Sequence, residues 1–421
     1  SANDGWIDLR TLTGGITSTA DATINSITVG KGANSANGNT VLGETALDAS
    51  VSGTNNTAIG KDTLTALTSG QQNVAVGANA GDAITTGSNN TAVGKGSLST
   101  ATTASDNTAF GESALNQNSS GANNTALGAQ CLDANTTASD NTGVGKNSLT
   151  TNSTGASNTA IGKSSLASNT TASNNCAVGA TALNANTTGD KNNAFGSATL
   201  ETNTTGTENS AFGSRALQNN TTASFNVAVG RDALRVNTTG QGNVAVGTDA
   251  LDANTTAEYN TAIGYDALST NTTGFRNVAV GAFTLQSNTT GEDVTAVGAN
   301  ALASNSTGSN NTAVGRRACN SQTTADGNTA VGAYAAYAAT TAGNSTAIGY
   351  QALYSATTGD VNVAVGSECM ESLTTGFNNV GVGRTALQNH TTGNHNTAVG
   401  RSALAANTTA SDNTAVGKSA L

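Results

Sequence analysis

An apolar residue followed by glycine recurs every 17 residues in this chain, from Leu42-Gly43, Ile59-Gly60 and Val76-Gly77 to Val399-Gly400 and Val416-Gly417, 23 copies without a slip. A globular core built from irregular elements has no reason to keep such a period. A fixed period near 20 residues marks a repeat architecture, in which one unit cannot bury its apolar face alone and stacks on its neighbours.

Numbered from its usual asparagine, the unit reads Asn-Thr-Ala-Val-Gly-x-x-Ala-Leu-x-x-Asn-Thr-Thr-Gly/Ala-x-x, with Asn396 to Gly400 as positions one to five. Position five is always Gly, and position four is Val, Ile, Leu or Phe. Position nine is Leu except at Gly81, Cys319, Ala336 and Met370, and position one is Asn except at Val294 and Ser345. Thr, Val, Asn and Gly are poor helix formers, and the apolar positions do not recur at helical spacing. The expected fold is all-β: a parallel β-solenoid of 17-residue coils, with two short extended segments per coil. At about 4.8 Å per coil the array would form a rod on the order of 100 Å long. Residues 1–23 read as an N-terminal cap or attachment segment and 24–421 as the array, with coils from about residue 39.

Stacking places each side chain over its counterpart 17 residues away. Asn at positions one and twelve can then chain amide hydrogen bonds along the axis. Gly at position five is expected to take a positive φ or to let two backbones approach. Val at four and Leu at nine are expected to fill the lumen, with Phe110, Phe195 and Phe212 as core residues at four. Position three, Ala in nearly every copy, then faces outward. A water-facing position would drift among polar residues, and this one stays small. The Ala column, with Ala58, Ala160, Ala262 and Ala398 as examples, is therefore expected to form the interface of a homo-oligomer, most simply a trimer. The competing reading is a tight bend with room only for a methyl group.

The core Asn158-Thr159-Ala160-Ile161-Gly162 resembles the head repeats of trimeric autotransporter adhesins, and the longer unit is similar to repeats of phage tail-fibre proteins. Ile24 to Gly30 resembles the lead-in to such fibre arrays. The resemblance covers roughly residues 24–421 and implies a trimeric left-handed parallel β-roll. The adhesin repeats have a shorter period, so the turns need not match.

Absence of proline suits an unbroken ladder. A net charge of −10 argues against nucleic acid as partner, and no apolar run approaches a membrane span. Cys131 and Cys369 replace Ala at position eight, Cys319 replaces Leu at nine and Cys176 replaces Thr at two. They lie several coils apart, which rules out intrachain disulfides; bridges between chains stay open. The lone Trp6 is read as a cap on the first coil or a dock for an attachment protein. The chain opens without Met and stops at position nine of a coil, Leu421, so further sequence with a distal recognition tip is expected.

Catalytic constellations are sparse. His390 and His395, the only histidines, fall at positions twelve and seventeen, without paired carboxylates in the repeat. The Asn-Thr-Thr glycosylation pattern reads as a structural turn. Asp232, Asp249 and Asp266 share position seven in consecutive coils and could hold a cation such as calcium; the alternative is a hydrated row offset by Arg215 and Arg231. Tyr334, Tyr337, Tyr350 and Tyr354, in two adjacent coils, are expected to be exposed together and could stack against glycan rings, or could simply pack on one another. No catalytic residue, metal or cofactor is expected.

The expected function is that of a structural fibre: a stiff segment of a phage tail fibre or virion fibre serving host attachment. Its partners would be its own copies, a virion or tail attachment protein at the N-terminus, and a host-surface glycan or protein bound through the distal tip. The alternative is the head or stalk of a bacterial surface adhesin at the cell surface. Ice binding is disfavoured because the adjacent threonines at positions thirteen and fourteen of the unit point to opposite sides, and an enzyme because clustered acids and bases are lacking.

Overall fold

The computed structural model describes residues 21–421. Trp6 lies outside them. Two compact units divide the chain, Ser1–Ser157 and Asn158–Leu421. Asn158 is position one of a coil, so the division falls inside the repeat array, where the period itself carries no mark of it.

The first unit begins, among the described residues, with an antiparallel hairpin of β1 (Ala22–Ile24) and β2 (Ile27–Gly30). Asn25 and Ser26 at its tip both have positive φ (50° and 68°), as a two-residue primed turn requires. β2 pairs antiparallel with β3 (Thr40–Gly43), the strand of the first coil. The hairpin thus covers an edge that would otherwise offer unpaired backbone groups. Asp21 braces it, its carboxylate accepting from the backbone N–H of Lys31 at 2.7 Å and of Gly32 at 2.6 Å. The six strands after β3 in this unit, β4 to β9, run from Thr57–Ile59 to Thr142–Val144. The second unit carries sixteen more, β10 to β25, from Thr159–Ile161 to Thr414–Val416.

In each unit the coils stack in parallel with a constant 17-residue offset, as in Thr57↔Val74, Ala58↔Ala75 and Ile59↔Val76. A parallel β-solenoid of 17-residue coils is what the period predicts. Each coil, however, contains one strand of three residues, at positions two to four, where two extended segments are expected. The rest is turn. Positions seven, nine and seventeen sit in the left-handed region (Asp232 φ 59°, Leu234 φ 52°, Phe225 φ 63°), and each bends the chain before a second strand can form. Leu pays the steric cost of that conformation at position nine because its side chain is wholly buried there. Position five meets both expectations: Gly230 has φ 135°, and a Cβ there would lie 2.5 Å from the Gly247 carbonyl oxygen.

The lumen is partly polar. Asn56 Oδ1 accepts from the backbone N–H of Asn73 at 2.9 Å, while Asn56 Nδ2 donates to the Gly70 carbonyl at 3.0 Å. At position twelve, Asn203 Nδ2 donates to Asn186 Oδ1 at 2.8 Å and to the Gly206 carbonyl at 3.0 Å, and Asn203 Oδ1 accepts from Asn220 Nδ2 at 2.8 Å. Both columns are buried. The amides of these rungs bond to the neighbouring coil and, at position twelve, to a carbonyl three residues on in their own coil, which is what makes a buried amide tolerable. Asn175 Nδ2 and Asn305 Oδ1 are the buried amide exceptions in the two columns.

The inside and outside of the strand are the reverse of the sequence expectation. Ala58, Ala160, Ala262 and Ala398 at position three are all 0% exposed within the single chain. They face the chain's own lumen, so they are not an interface with other chains. Position four faces out: Ile161 and Ile263 are each 40% exposed, Phe110 52% and Phe212 42%. Phe195 and Phe212 stack at 4.9 Å between centroids on this outer face and are not core. The cause is the narrowness of the coil. A Cβ added at Gly381 would lie 2.6 Å from Cys369 Sγ, at position eight of the preceding coil, and 3.0 Å from Met370 Cε, at position nine. Opposite positions eight and nine, the lumen has room for a methyl group and nothing larger. The one bigger residue at position three, Val41, belongs to the first coil, which has no preceding position eight to oppose it.

Candidate functional site: an uncharged outer face

The outward side chains of each strand are positions two and four. No residue at position four is buried in any coil, and position two is half-buried or exposed throughout. From residue 39 onward every Asp, Glu, Lys and Arg falls at positions six, seven, ten, sixteen or seventeen. The strand face carries none. Repeated through the coils of each unit, such an uncharged face, apolar at position four and mostly Thr or Val at position two, is the kind of surface that marks an interaction site.

The two columns on this face also limit one another. Val occupies position two at Val74, Val227, Val244, Val278, Val363 and Val380, and in each of these coils position four is Val. Wherever position four is larger, as at Phe110, Leu127, Ile161, Phe195 and Phe212, position two is Thr, Asn or Ser. Row volume is not constant, since Thr also stands beside Val, as at Thr91 and Val93, but Val at position two never stands beside a residue larger than Val at position four. A packed surface sets an upper limit of this kind, because an extra methylene in a filled space forces strain.

The charged columns form paired networks. Asp232 is 4% exposed and is held by Arg215 at 2.8 Å and Arg231 at 2.9 Å. Arg231 also reaches Asp249 at 3.3 Å, and Arg235 reaches Asp252 at 2.9 Å. Asp266 accepts from Gln286 Nε2 at 3.5 Å, and its carboxyl is pushed above the usual range by burial and then by Asp249 and Asp252. Of the two readings of Asp232, Asp249 and Asp266, the offset by Arg215 and Arg231 is the one seen at Asp232 and Asp249, and among the described residues no three His, Cys, Asp or Glu side chains are placed to hold a metal ion. Nor is Asp232 part of a hydrated row.

The four tyrosines do come together. Tyr337 and Tyr354 stack at 5.1 Å with planes 9° apart. Tyr334 tilts against both at 5.8 and 6.4 Å and meets Tyr350 edge-on at 6.5 Å. The Arg316 guanidinium lies 5.5 Å from the Tyr334 centroid. Only Tyr350 is exposed; the other three are half-buried. Packing among themselves uses much of the ring surface that a glycan would need.

His390 takes the place of an asparagine in the position-twelve column, its Nε2–H donating to the Gly393 carbonyl at 2.8 Å. His395 Nδ1 lies 3.6 Å from Asp412, a carboxylate neighbour the repeat arithmetic passed over, although it too stands at position seventeen, one coil on. The glycosylation pattern at position twelve is buried in the lumen, as at Asn135, Asn186 and Asn254. Thr at position thirteen commits its hydroxyl to the next coil, Thr204 Oγ1 donating to the Thr221 carbonyl at 3.0 Å, while Thr205 at fourteen is exposed. All four cysteines are free thiols. Cys131, Cys319 and Cys369 are buried, and Cys176 is half-buried on the outer face. Among the described residues no helix is long and apolar enough to cross a membrane. Neither the models of known protein families nor the curated proteins compared with this chain give a match.

Proposed function

We propose that this chain is a structural fibre segment whose copies pack through the position two and four face, most simply as a homotrimer of left-handed β-rolls. The observation that carries the reading is the uncharged face, on which Val at position two never stands beside a residue larger than Val at position four. A second copy of the chain fits this face better than an unrelated partner. Its own ladder has the same axial period, so side chains meet in register row after row. The acidic residues of its coils stand at other positions, so like charges are not opposed there. In the second unit, sixteen rows at about 4.8 Å, with columns about 7 Å apart, give a strip on the order of 500 Å². A standard interface takes about 800 Å² from each partner, and the coils of the first unit carry the same strip.

A bundle built this way is a stiff spacer, with hydrogen-bonded ladders along every coil and no chemistry of its own. That suits a phage tail fibre or virion fibre, which must hold a recognition element away from the particle during host attachment. The similarity of the Asn-Thr-Ala-Val-Gly core to adhesin head repeats supports the same assembly in a bacterial surface adhesin as the second reading. The test is the mass in solution, by light scattering on a size-exclusion column. Three times the chain mass is expected, falling to one chain in Ile263→Glu. A wild-type chain that runs as a monodisperse monomer overturns the reading.

A further inference from the structure

Stacked side chains at position seventeen normally lie over one another, as Lys191 lies against Glu208 at 3.3 Å. Between Tyr259 and Arg276, in consecutive coils, that column is parted. Tyr259 leans back over Gly242, where a Cβ would lie 2.8 and 3.0 Å from its Cδ1 and Cε1. Arg276 leans the other way, into a two-pronged pair with Asp293 at 2.7 Å on each prong. Its guanidinium also covers the neighbouring Phe275 ring at 4.5 Å. The gap left between them is a cleft of about 430 Å³, lined by Tyr259, Phe275, Arg276, Glu258, Thr256 and Thr273 among others. Its size is that of a small-molecule site.

We propose that this cleft binds a neutral pyranose ring, as one unit of a glycan. Tyr259, 56% exposed, offers an aromatic ring against which the C–H face of a sugar can lie. The Glu258 carboxylate has no ion-pair partner among the described residues and can accept from two adjacent sugar hydroxyls, the charge-assisted kind of hydrogen bond. Thr256 and Thr273 add hydroxyls at the rim that donate or accept as required. The charge balance selects the sugar class. Asp293 neutralises Arg276, leaving Glu258 as the net charge, so a carboxylated sugar meets repulsion. A quaternary ammonium group would have only Tyr259 and Glu258 to use, because Arg276 already covers the Phe275 ring, and choline therefore serves as a control. Two features that look like accidents of the repeat, Gly242 at position seventeen and an unpaired Glu258 at sixteen, are both needed to open and equip the cleft.

The test is saturation-transfer NMR on the full chain with the methyl glycosides of glucose, galactose, mannose and N-acetylglucosamine, and with N-acetylneuraminic acid and choline as charged controls. Transfer to the ring protons of at least one neutral glycoside is expected. The dissociation constant should rise at least tenfold in Tyr259→Ala and rise also in Glu258→Gln, with unchanged melting curves because both side chains point outward. Tyr350→Ala, which removes an exposed ring from the other aromatic cluster, should leave it unchanged. No transfer to any neutral glycoside, transfer that survives both Tyr259→Ala and Glu258→Gln, or transfer confined to a charged control overturns the proposal. The mass of the same samples, read by light scattering, separates loss of this site from loss of assembly.

Discussion

Cys131 Sγ occupies space that Gly143 leaves open one coil further on. A Cβ at Gly143 would run into that sulfur, and the same relation joins Cys369 to Gly381. Both cysteines stand at position eight, where most coils have Ala, Ser or Thr, and both glycines stand at position three, where the other coils after the first have Ala. One sulfur added to the lumen is matched by one methyl removed. Gly143→Ala should therefore overpack the coil and cost about 1–3 kcal/mol. Adding Cys131→Ala should restore stability to near wild type, since Ser148 can then donate to its own position-five carbonyl, as Ser97 and Ser165 do at 3.0 Å. Denaturant unfolding of both single variants and the double variant reads the coupling, and additive effects would show that the two sites do not share a space.

Neighbouring residues on one strand should fail in different ways. Ala262 is 0% exposed and Ile263 40% exposed. Ala262→Glu places an unpaired charge in a lumen with room for a methyl group, and the coil should not form. Ile263→Glu leaves the coil intact and places a charge on the shared face. Circular dichroism should show lost strand signal only for Ala262→Glu, and light scattering should show single, folded chains for Ile263→Glu. The opposite pattern would return the Ala column to the role of interface.

The period, the parallel stacking, the amide ladders and the need for Gly at position five were all legible in the sequence, because each follows from placing identical residues 17 apart. The direction of the strand was not. Hydrophobic ranking puts Val inside and Ala outside, and it fails here because the lumen is too narrow for Val and because the outer face is itself apolar. The matching of Cys131 with Gly143 and of Cys369 with Gly381 was the available signal, since it ties position three to position eight inside one space. The single strand per coil was hidden for another reason: Leu234 and its counterparts hold positive φ through burial, against their local preference. The Tyr259 cleft was invisible because it arises from two side chains leaning apart, and a column count records only that they are stacked.

The position-twelve column should be strong in its middle and weak at its end. Asn203→Ala strands Asn186 Oδ1 and one N–H of Asn220 Nδ2 in a buried site, while the Gly206 carbonyl keeps Asn192 Nδ2 at 2.8 Å and Asn220 Nδ2 keeps the Ala223 carbonyl at 2.9 Å. Unmade buried hydrogen bonds cost about 1–3 kcal/mol each, with some relief by relaxation, so a loss of roughly 2–4 kcal/mol is expected. Asn407, in the last full coil, is half-buried and donates to the Ala410 carbonyl at 3.2 Å. Asn407→Ala should cost below about 1 kcal/mol, since water can replace that bond. Equal shifts in the denaturation midpoints would remove the ladder as a source of stability.

Thiol labelling joins the lumen to the outer face. Burial pushes the Cys131 thiol up to about 11 and the Cys319 and Cys369 thiols up to about 12. The thiolate is the reactive form, so at pH 8 about one in a thousand of the Cys131 thiols, and fewer of the other two, is ionised even when a reagent can reach it. Cys176 is the exception in position, half-buried at position two on the outer face, although burial raises its thiol as well. In single chains of Ile263→Glu, one thiol of four should react with a maleimide, faster as pH rises toward the raised thiol value. In the wild-type assembly the same thiol should be shielded by the neighbouring chains, and all four should react in denaturant. Mass spectrometry counts the adducts. Fast labelling of Cys176 in the wild-type protein would mean that this face is open to water, and the assembly through it would have to be given up.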